Sequence, residues 1–217
     1  MAGNIQHPTL GEKTYTQIKN LILAGKIRPG ERLLYSRLVV SLGVSQTPIK
    51  EAFTRLENEG YVVTITRKGT FAREFSPSEI REAFEIREML EALAARRACA
   101  QLNGDALRRM KKINARFTNA ARRHDVRACT REDYAFHETI IEMSGNEKLK
   151  ELMNKTNFHL LSIAQSSPRF LEISAEYSAM HARIIRAIED RNEKTAERMI
   201  REHIRYGLKE VLPSSAG

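Results

Sequence analysis

The stretch LGVSQTPIKEAFTRLENEGYV, residues 42–62, decides the fold of the first third of the chain. Ser45 suits the cap of a helix, and Pro48 falls in the first turn, where a missing N–H costs little. Apolar side chains then recur at helical spacing until Gly60, and they are Ile49, Ala52, Phe53 and Leu56. The polar residues at the start of this helix therefore face away from its apolar stripe.

Further helical patterns precede this stretch, and a strand-like pattern follows it. Helices are predicted from Thr14 to Ala24 and from about Tyr35 to Leu42. Tyr61–Thr66 and Thr70–Ala72 predict the strands of a β-hairpin with a basic, Gly-containing turn. Two helices, a Gly turn, a polar-faced helix and a basic hairpin form the order of a winged helix-turn-helix.

The polar side chains of this module suit contacts to DNA. Gln46 can bond an adenine edge, Lys50 can reach guanine or phosphate, and Thr47 can contact phosphate or a thymine methyl. Arg67 and Lys68 at the hairpin tip are expected to reach the minor groove or the backbone. Each side chain alone is equally consistent with ordinary solvated surface, but the ordered set favours binding to double-stranded DNA.

From Ser78 onward the sequence pattern is helical. Ser76 with Glu79 predicts a capping box, and Pro77 takes the first helical position. The predicted helices cover 78–101, 105–124, 130–144, 147–165, 174–190 and 193–211. Six helices of this length predict an antiparallel bundle. The chain is therefore expected to be mainly α, with a winged helix-turn-helix domain at 1–75 and a six-helix bundle at 76–217.

Composition narrows the class of protein. The net charge is +9, and residues 1–75 hold 11 Lys/Arg against 6 Asp/Glu, whereas the remaining 142 residues hold 25 against 21. A basic balance raises the odds of a polyanionic partner. Apolar runs are too short for a transmembrane helix, no signal peptide is recognisable, and two cysteines fit a reducing compartment. A cytoplasmic protein without a membrane partner is expected.

Four polar residues of the second domain have the spacing of a metal site. Asp133 and His137 share a helix face because they are four residues apart. His181 and His203 align with the apolar residues of the last two helices and so face the interior of the bundle. One carboxylate and three imidazoles suit Zn, Ni, Co, Mn or Fe. Spacing alone favours hydrogen-bonded histidines without an ion over a metal site.

Together with the opening stretch, the segments ILAGKIRPGERL and RKGTFA resemble the winged-helix domain of GntR-family bacterial regulators. Gln46 and Lys50 stand where that family usually has arginine, and Ser36 stands where an arginine contacts DNA in some members. Lysine lacks the rigid fork with which arginine reads guanine. The resemblance therefore implies DNA binding with an altered operator.

Residues 78–211 resemble the FCD ligand-binding domain of the FadR subfamily, and six helices resemble its VanR-type branch. The motifs are FEIREMLE, DYAFHETIIEMSGNEKL, HARIIRAIEDRN and AERMIREHI. The resemblance implies a homodimer, most often a repressor, with an organic acid bound at the ion. It maps a metal set, zinc first, onto Asp133, His137, His181 and His203, and it places Arg87 near the pocket. A salt bridge from Arg87 to Glu91 at i+4 is an equally good reading.

The predicted function is a ligand-responsive transcriptional regulator rather than an enzyme. Two alternatives are a sensor of the metal ion itself and a metalloenzyme. An enzyme would need a positioned general base or nucleophile. Glu138, the nearest acid in sequence to His137, points away from it on a helix, and no G-x-S-x-G motif occurs.

Overall fold

Residues 8–153 and 171–212 are described by the computed structural model. The chain divides into two units, residues 1–75 and 76–217. Within the described residues, no helix is both long and apolar enough to cross a membrane.

The first unit has the predicted winged helix-turn-helix fold. Its elements are α1 (Leu10–Leu23), β1 (Arg32–Leu33), α2 (Tyr35–Leu42), α3 (Gln46–Asn58), β2 (Val62–Ile65) and β3 (Gly69–Ala72). The strands form an antiparallel sheet in the order β1-β3-β2. Strand β1 was not predicted, because two residues are too few to show an alternating pattern.

Helices α2 and α3 meet through a tight turn that positions the start of α3. Gly43 ends α2 with a φ of 65°, a left-handed conformation that glycine adopts without steric cost. Ile49 and Leu56 are fully buried on the inner face of α3, together with Ile18 of α1. The apolar stripe read from the sequence is therefore the face that packs into the core.

The starts of α1 and α3 differ in detail from what the sequence predicted. α1 begins at Leu10 rather than near Thr14, because Thr9 and Glu12 form a capping box. Ser45 does occupy the N-cap position of α3, but its side chain accepts no hydrogen bond from that helix. The expected side-chain cap is therefore absent, although the helix begins where the sequence indicated.

The described part of the second unit is helical. Its helices are α4 (Pro77–Ala100), α5 (Gly104–Arg122), α6 (Val126–Met143), α7 (residues 147–153), α8 (Ser174–Glu189) and α9 (Glu193–Val211). The predicted capping box at Ser76 and Glu79 is confirmed. α6 starts four residues earlier than predicted, since Asp125 caps the N–H of Ala128. Of the helix predicted at 147–165, the part beyond residue 153 lies outside the described residues.

The helices of this unit pack against one another around a shared core. α4 lies along α9, α5 contacts α6 and α8, and α8 also contacts α9. The inner face of α4 is lined with alanines, which allow close helix approach, and they are Ala92, Ala94, Ala95 and Ala98. Phe117 and Phe136 are the largest fully buried side chains. They pack beside the polar residues that the core of this unit encloses.

Candidate metal centre and DNA-binding surface

The four predicted metal ligands converge inside the second unit. Asp133 and His137 come from α6, His181 from α8 and His203 from α9. One potential ligand atom from each lies within 4.8 Å of all the others. The three histidines are at most 2% exposed, and the Asp133 side chain is 13% exposed, so the cluster is buried except at Asp133.

The interatomic distances fit a divalent ion. Asp133 Oδ1 lies 3.2 Å from His181 Nε2, 3.7 Å from His137 Nε2 and 3.9 Å from His203 Nε2. The Nε2 atoms of His137 and His203 are 3.1 Å apart. Ligands of a tetrahedral zinc ion with bonds of ~2.0–2.1 Å are separated by ~3.3 Å. Within the described part of the chain, Asp133 Oδ1 and His181 Nε2 are buried and lack a hydrogen bond of normal geometry, as expected of atoms that bind an ion.

A second layer of residues orients the imidazoles. His137 Nδ1 lies 2.5 Å from Glu91 Oε2, and His181 Nδ1 lies 3.3 Å from Asn114 Oδ1. Asn114 is held in turn because its amide donates to the Ser178 carbonyl at 3.1 Å. Bonding through Nδ1 leaves Nε2 of each ring directed at the cluster, as in carboxylate–histidine–metal arrangements.

Electrostatics favour the ligand forms of most of these groups. Burial by itself raises the pKa of Asp133, but the close imidazoles of His137 and His181 outweigh it and hold the pKa well below its usual value. Burial lowers the pKa of His181, and burial with the neighbouring imidazoles lowers that of His203 further. Asp133 is therefore a carboxylate, and His181 and His203 are neutral rings.

His137 behaves differently from the other two histidines. Burial lowers its pKa, but the carboxylates of Glu91 and Asp133 outweigh this and raise the pKa above the usual value. A bound cation would oppose protonation of the same ring, so metal binding and proton binding compete at His137.

Arg87 forms the salt bridge that the sequence offered as one of two readings. It is 8% exposed, and its Nε donates to Glu91 Oε1 at 2.5 Å. Glu91 thus joins Arg87 to His137. A ligand contact of Arg87 stays a prediction.

Aromatic rings enclose the cluster. The Phe136 ring stacks on His181 at 3.9 Å between centroids, and the Tyr177 ring meets His203 edge-on at 4.9 Å. Sequence reasoning missed these contacts, the bond between Glu91 and His137, and the contacts of Asn114. Tyr177 did carry a signal, since it lies four residues before His181 on the same helix face. Asn114 carried none, because its partner is on another helix.

The predicted DNA-contacting residues are exposed on the first unit. Gln46, Thr47 and Lys50 lie in the first turns of α3, and Ser36 lies on α2. Arg67 and Lys68 occupy the turn between β2 and β3. None is needed to fill the core, so all are available to a partner.

Comparison with known proteins agrees with both units. Residues 10–72 match "Bacterial regulatory proteins, gntR family", and residues 82–206 match the FCD domain. The chain is 27% identical over 210 residues to the uncharacterized HTH-type transcriptional regulator YdhC of Bacillus subtilis, covering 91% of this chain and 90% of that one. It is 26% identical over 198 residues to a probable D-xylose utilization operon transcriptional repressor of Paenarthrobacter nicotinovorans, with 90% and 86% covered.

A solved structure shows the same fold. The putative GntR transcriptional regulator from Rhodococcus sp. RHA1 superimposes with a TM-score of 0.82 at 19% identity, covering 94% of this chain and 98% of that one. The matched families are those of regulators, not enzymes. The chain therefore belongs to the GntR family, as a DNA-binding transcriptional regulator with a C-terminal FCD domain.

Proposed function

We propose that this regulator is a homodimeric repressor whose second unit binds a divalent metal ion and a small organic acid. Zinc is the first candidate for the ion, ahead of Ni, Co, Mn and Fe. The observation that carries the proposal is the buried convergence of one carboxylate and three imidazoles within 4.8 Å.

The ion would be held by Asp133, His137, His181 and His203. It would supply a concentrated positive charge to which the carboxylate of an organic acid can bind. Arg87 adds a fixed positive charge next to Glu91, the residue that contacts His137. Glu91 accepts a hydrogen bond from Nε of Arg87. The two terminal nitrogens of Arg87 would then donate to a ligand carboxylate.

DNA contacts are assigned to the exposed residues of the first unit. Gln46, Thr47 and Lys50 would read base edges or phosphates from the major groove. The N-terminus of α3 favours a phosphate, and because the Ser45 side chain does not cap this helix, the N–H groups of its first turn can donate to phosphate oxygens. Arg67 and Lys68 would hold the backbone or the minor groove.

Regulation would work as a shift of populations. A ligand that binds one arrangement of the dimer more tightly favours that arrangement. Two recognition helices must be spaced by about one helical turn of DNA, ~34 Å, to bind both half-sites. Effector binding that changes this spacing would release the operator.

The test is the double variant His137→Ala/His181→Ala, with His124→Asn as a matched control. His124 is exposed and has a φ of 56°, which asparagine tolerates. Operators would be selected from random duplexes, and their binding measured at saturating zinc with and without small carboxylic acids. We expect the double variant to lose bound metal, determined by elemental mass spectrometry, and the effector response, while keeping DNA binding.

Two outcomes would contradict this. A full effector response in the double variant rules out the proposed centre. If metal content alone changes operator affinity and no acid does, the protein is a sensor of the ion itself.

A further inference from the structure

The positive charge of the second unit is concentrated in one segment. Residues 104–132 hold nine Lys/Arg and three Asp/Glu, whereas the unit as a whole holds 25 and 21. The rest of the unit is therefore slightly acidic. The net charge of the whole unit does not reveal this basic segment. The segment covers α5, the following turn and the start of α6.

Four arginines of this segment line a single cavity of about 400 Å³ on the surface of the second unit. Arg116, Arg122 and Arg123 come from the last turns of α5 and its end, and Arg131 comes from α6. The same cavity is lined by Glu132. Its volume falls at the lower end of the range of small-molecule sites, ~300–1,000 Å³.

The cavity walls are held in place. Glu132 is only 5% exposed, and its carboxylate lies 2.7 Å from Arg116 Nε and 3.2 Å from a terminal nitrogen of Arg131. It thereby ties an arginine of α5 to an arginine of α6. The turn between the helices is also fixed, since the N–H of His124 bonds the Ala121 carbonyl.

Positive charge in the cavity exceeds what Glu132 neutralises. Arg122 and Arg123 have no ion-pair partner among residues 8–153 and 171–212. Four guanidinium groups against one carboxylate leave a net charge of +3 on the lining. Guanidinium groups match phosphate oxygens in pairs of parallel hydrogen bonds.

We propose that this arginine pocket binds a small phosphorylated molecule through its phosphate groups. Its concave shape favours a compact polyanion over the convex backbone of a duplex. The residues involved are separate from the metal ligands, so this proposal does not depend on the metal centre. The pocket would give the regulator a second small-molecule input.

The test uses inorganic pyrophosphate as the probe and isothermal titration calorimetry with the full chain. Dialysis against metal-free buffer removes free metal ions, which would themselves bind pyrophosphate, and leaves the protein otherwise as isolated. A salt concentration of about 0.15 M shortens the Debye length to ~8 Å and suppresses general charge attraction. The pocket variant is Arg122→Gln/Arg123→Gln. The control is Arg108→Gln/Lys112→Gln, which removes the same charge from exposed residues of α5 outside the cavity.

We expect the pocket variant to bind pyrophosphate at least about tenfold more weakly, since hydrogen bonds to charged groups are strong, and the control to match the parent protein. Equal weakening in both variants would show attraction by overall charge and overturn the proposal. Absence of pyrophosphate binding to the parent protein would also overturn it. If a non-operator duplex, but not pyrophosphate, discriminates between the variants, the cavity is a DNA contact and the proposal is wrong. Circular dichroism checks that both variants fold.

Discussion

The two units place the side chains proposed to bind DNA and metal in opposite environments. In the first, Gln46 and Lys50 stand exposed on a helix whose other face fills the core. In the second, His181 and His203 lie within the core itself, at 0% and 2% exposure. Function and folding are therefore separable in the first unit, whereas in the second a change at the centre is also a change in packing and electrostatics.

The largest expected effect that tests this contrast is that of metal removal. An ion that binds only the folded state at a thousandfold excess over its Kd adds about 4 kcal/mol to stability. Treatment with 1,10-phenanthroline should lower the temperature of the second unit's calorimetric transition and leave that of the first unit unchanged. Zinc should restore it. An unchanged thermogram of protein whose metal loss is verified would contradict the proposed centre.

A second-layer substitution should have the next largest effect. Asn114→Ala removes the acceptor that orients His181 through Nδ1, and loss of such a partner weakens metal binding by about 10–100-fold. Asn114→Asp keeps an acceptor oxygen and should retain affinity, whereas Asn119→Ala, exposed on the same helix, is the control. Competition with a chromophoric zinc chelator measures the affinity. Equal zinc affinity in Asn114→Ala and in the control would show that Asn114 does not support the metal centre.

Asn114 also shows where sequence reasoning stops. The spacing of Asp133 and His137 is local and sufficed to predict a shared helix face, and apolar neighbours sufficed to direct His181 inward. The bond between Asn114 and His181 joins residues 67 positions apart, and it depends on how α5 packs against α8. Periodicity contains no such information. The second bond of Glu91, to His137 46 residues away, was missed for the same reason.

The parts of the fold that could and could not be predicted from the sequence differ in a similar way. Long amphipathic helices such as α8 and α9 were predicted nearly to their ends, because each has several turns of consistent pattern. Starts set by a single cap were missed, as with Thr9 before α1 and Asp125 before α6. One hydrogen bond fixes such a start, and it leaves little trace in the periodicity.

In the first unit, substitutions of the exposed residues proposed to contact DNA should weaken DNA binding without changing stability. Gln46→Ala and Lys50→Ala should each weaken operator binding by about 1–3 kcal/mol if they read bases, with stability changed by less than ~0.5 kcal/mol. Asn58→Ala, exposed at the other end of α3, is the control. Fluorescence anisotropy and chemical denaturation separate the two effects. Affinities equal to that of Asn58→Ala would place the reading surface elsewhere.

The smallest expected effect concerns a charged residue with a structural role in the first unit. Glu59 accepts from the Tyr15 hydroxyl at 2.5 Å and pairs with Lys19 at 3.0 Å, which links the end of α3 to α1. Burial raises its pKa, but these two partners outweigh burial and hold the pKa below the usual 4.5. Because the folded state lowers this pKa, the stabilisation is complete above the usual value and is lost as the pH falls through the folded value.

Glu59→Gln should therefore destabilise the first unit at neutral pH by no more than about 1 kcal/mol, since solvent screens a partly exposed pair. The difference from the parent protein should shrink as the pH falls below the usual 4.5 of this carboxyl. Chemical denaturation across the pH range measures it, with Glu51→Gln, exposed on the same helix, as the control. A difference that persists unchanged in acid would mean that Glu59 acts through its shape and not its charge. The contrast between the units would then extend to charged residues. The charge of Glu59 would add little to the stability of the first unit, whereas the charges of the buried centre would contribute to the stability of the second.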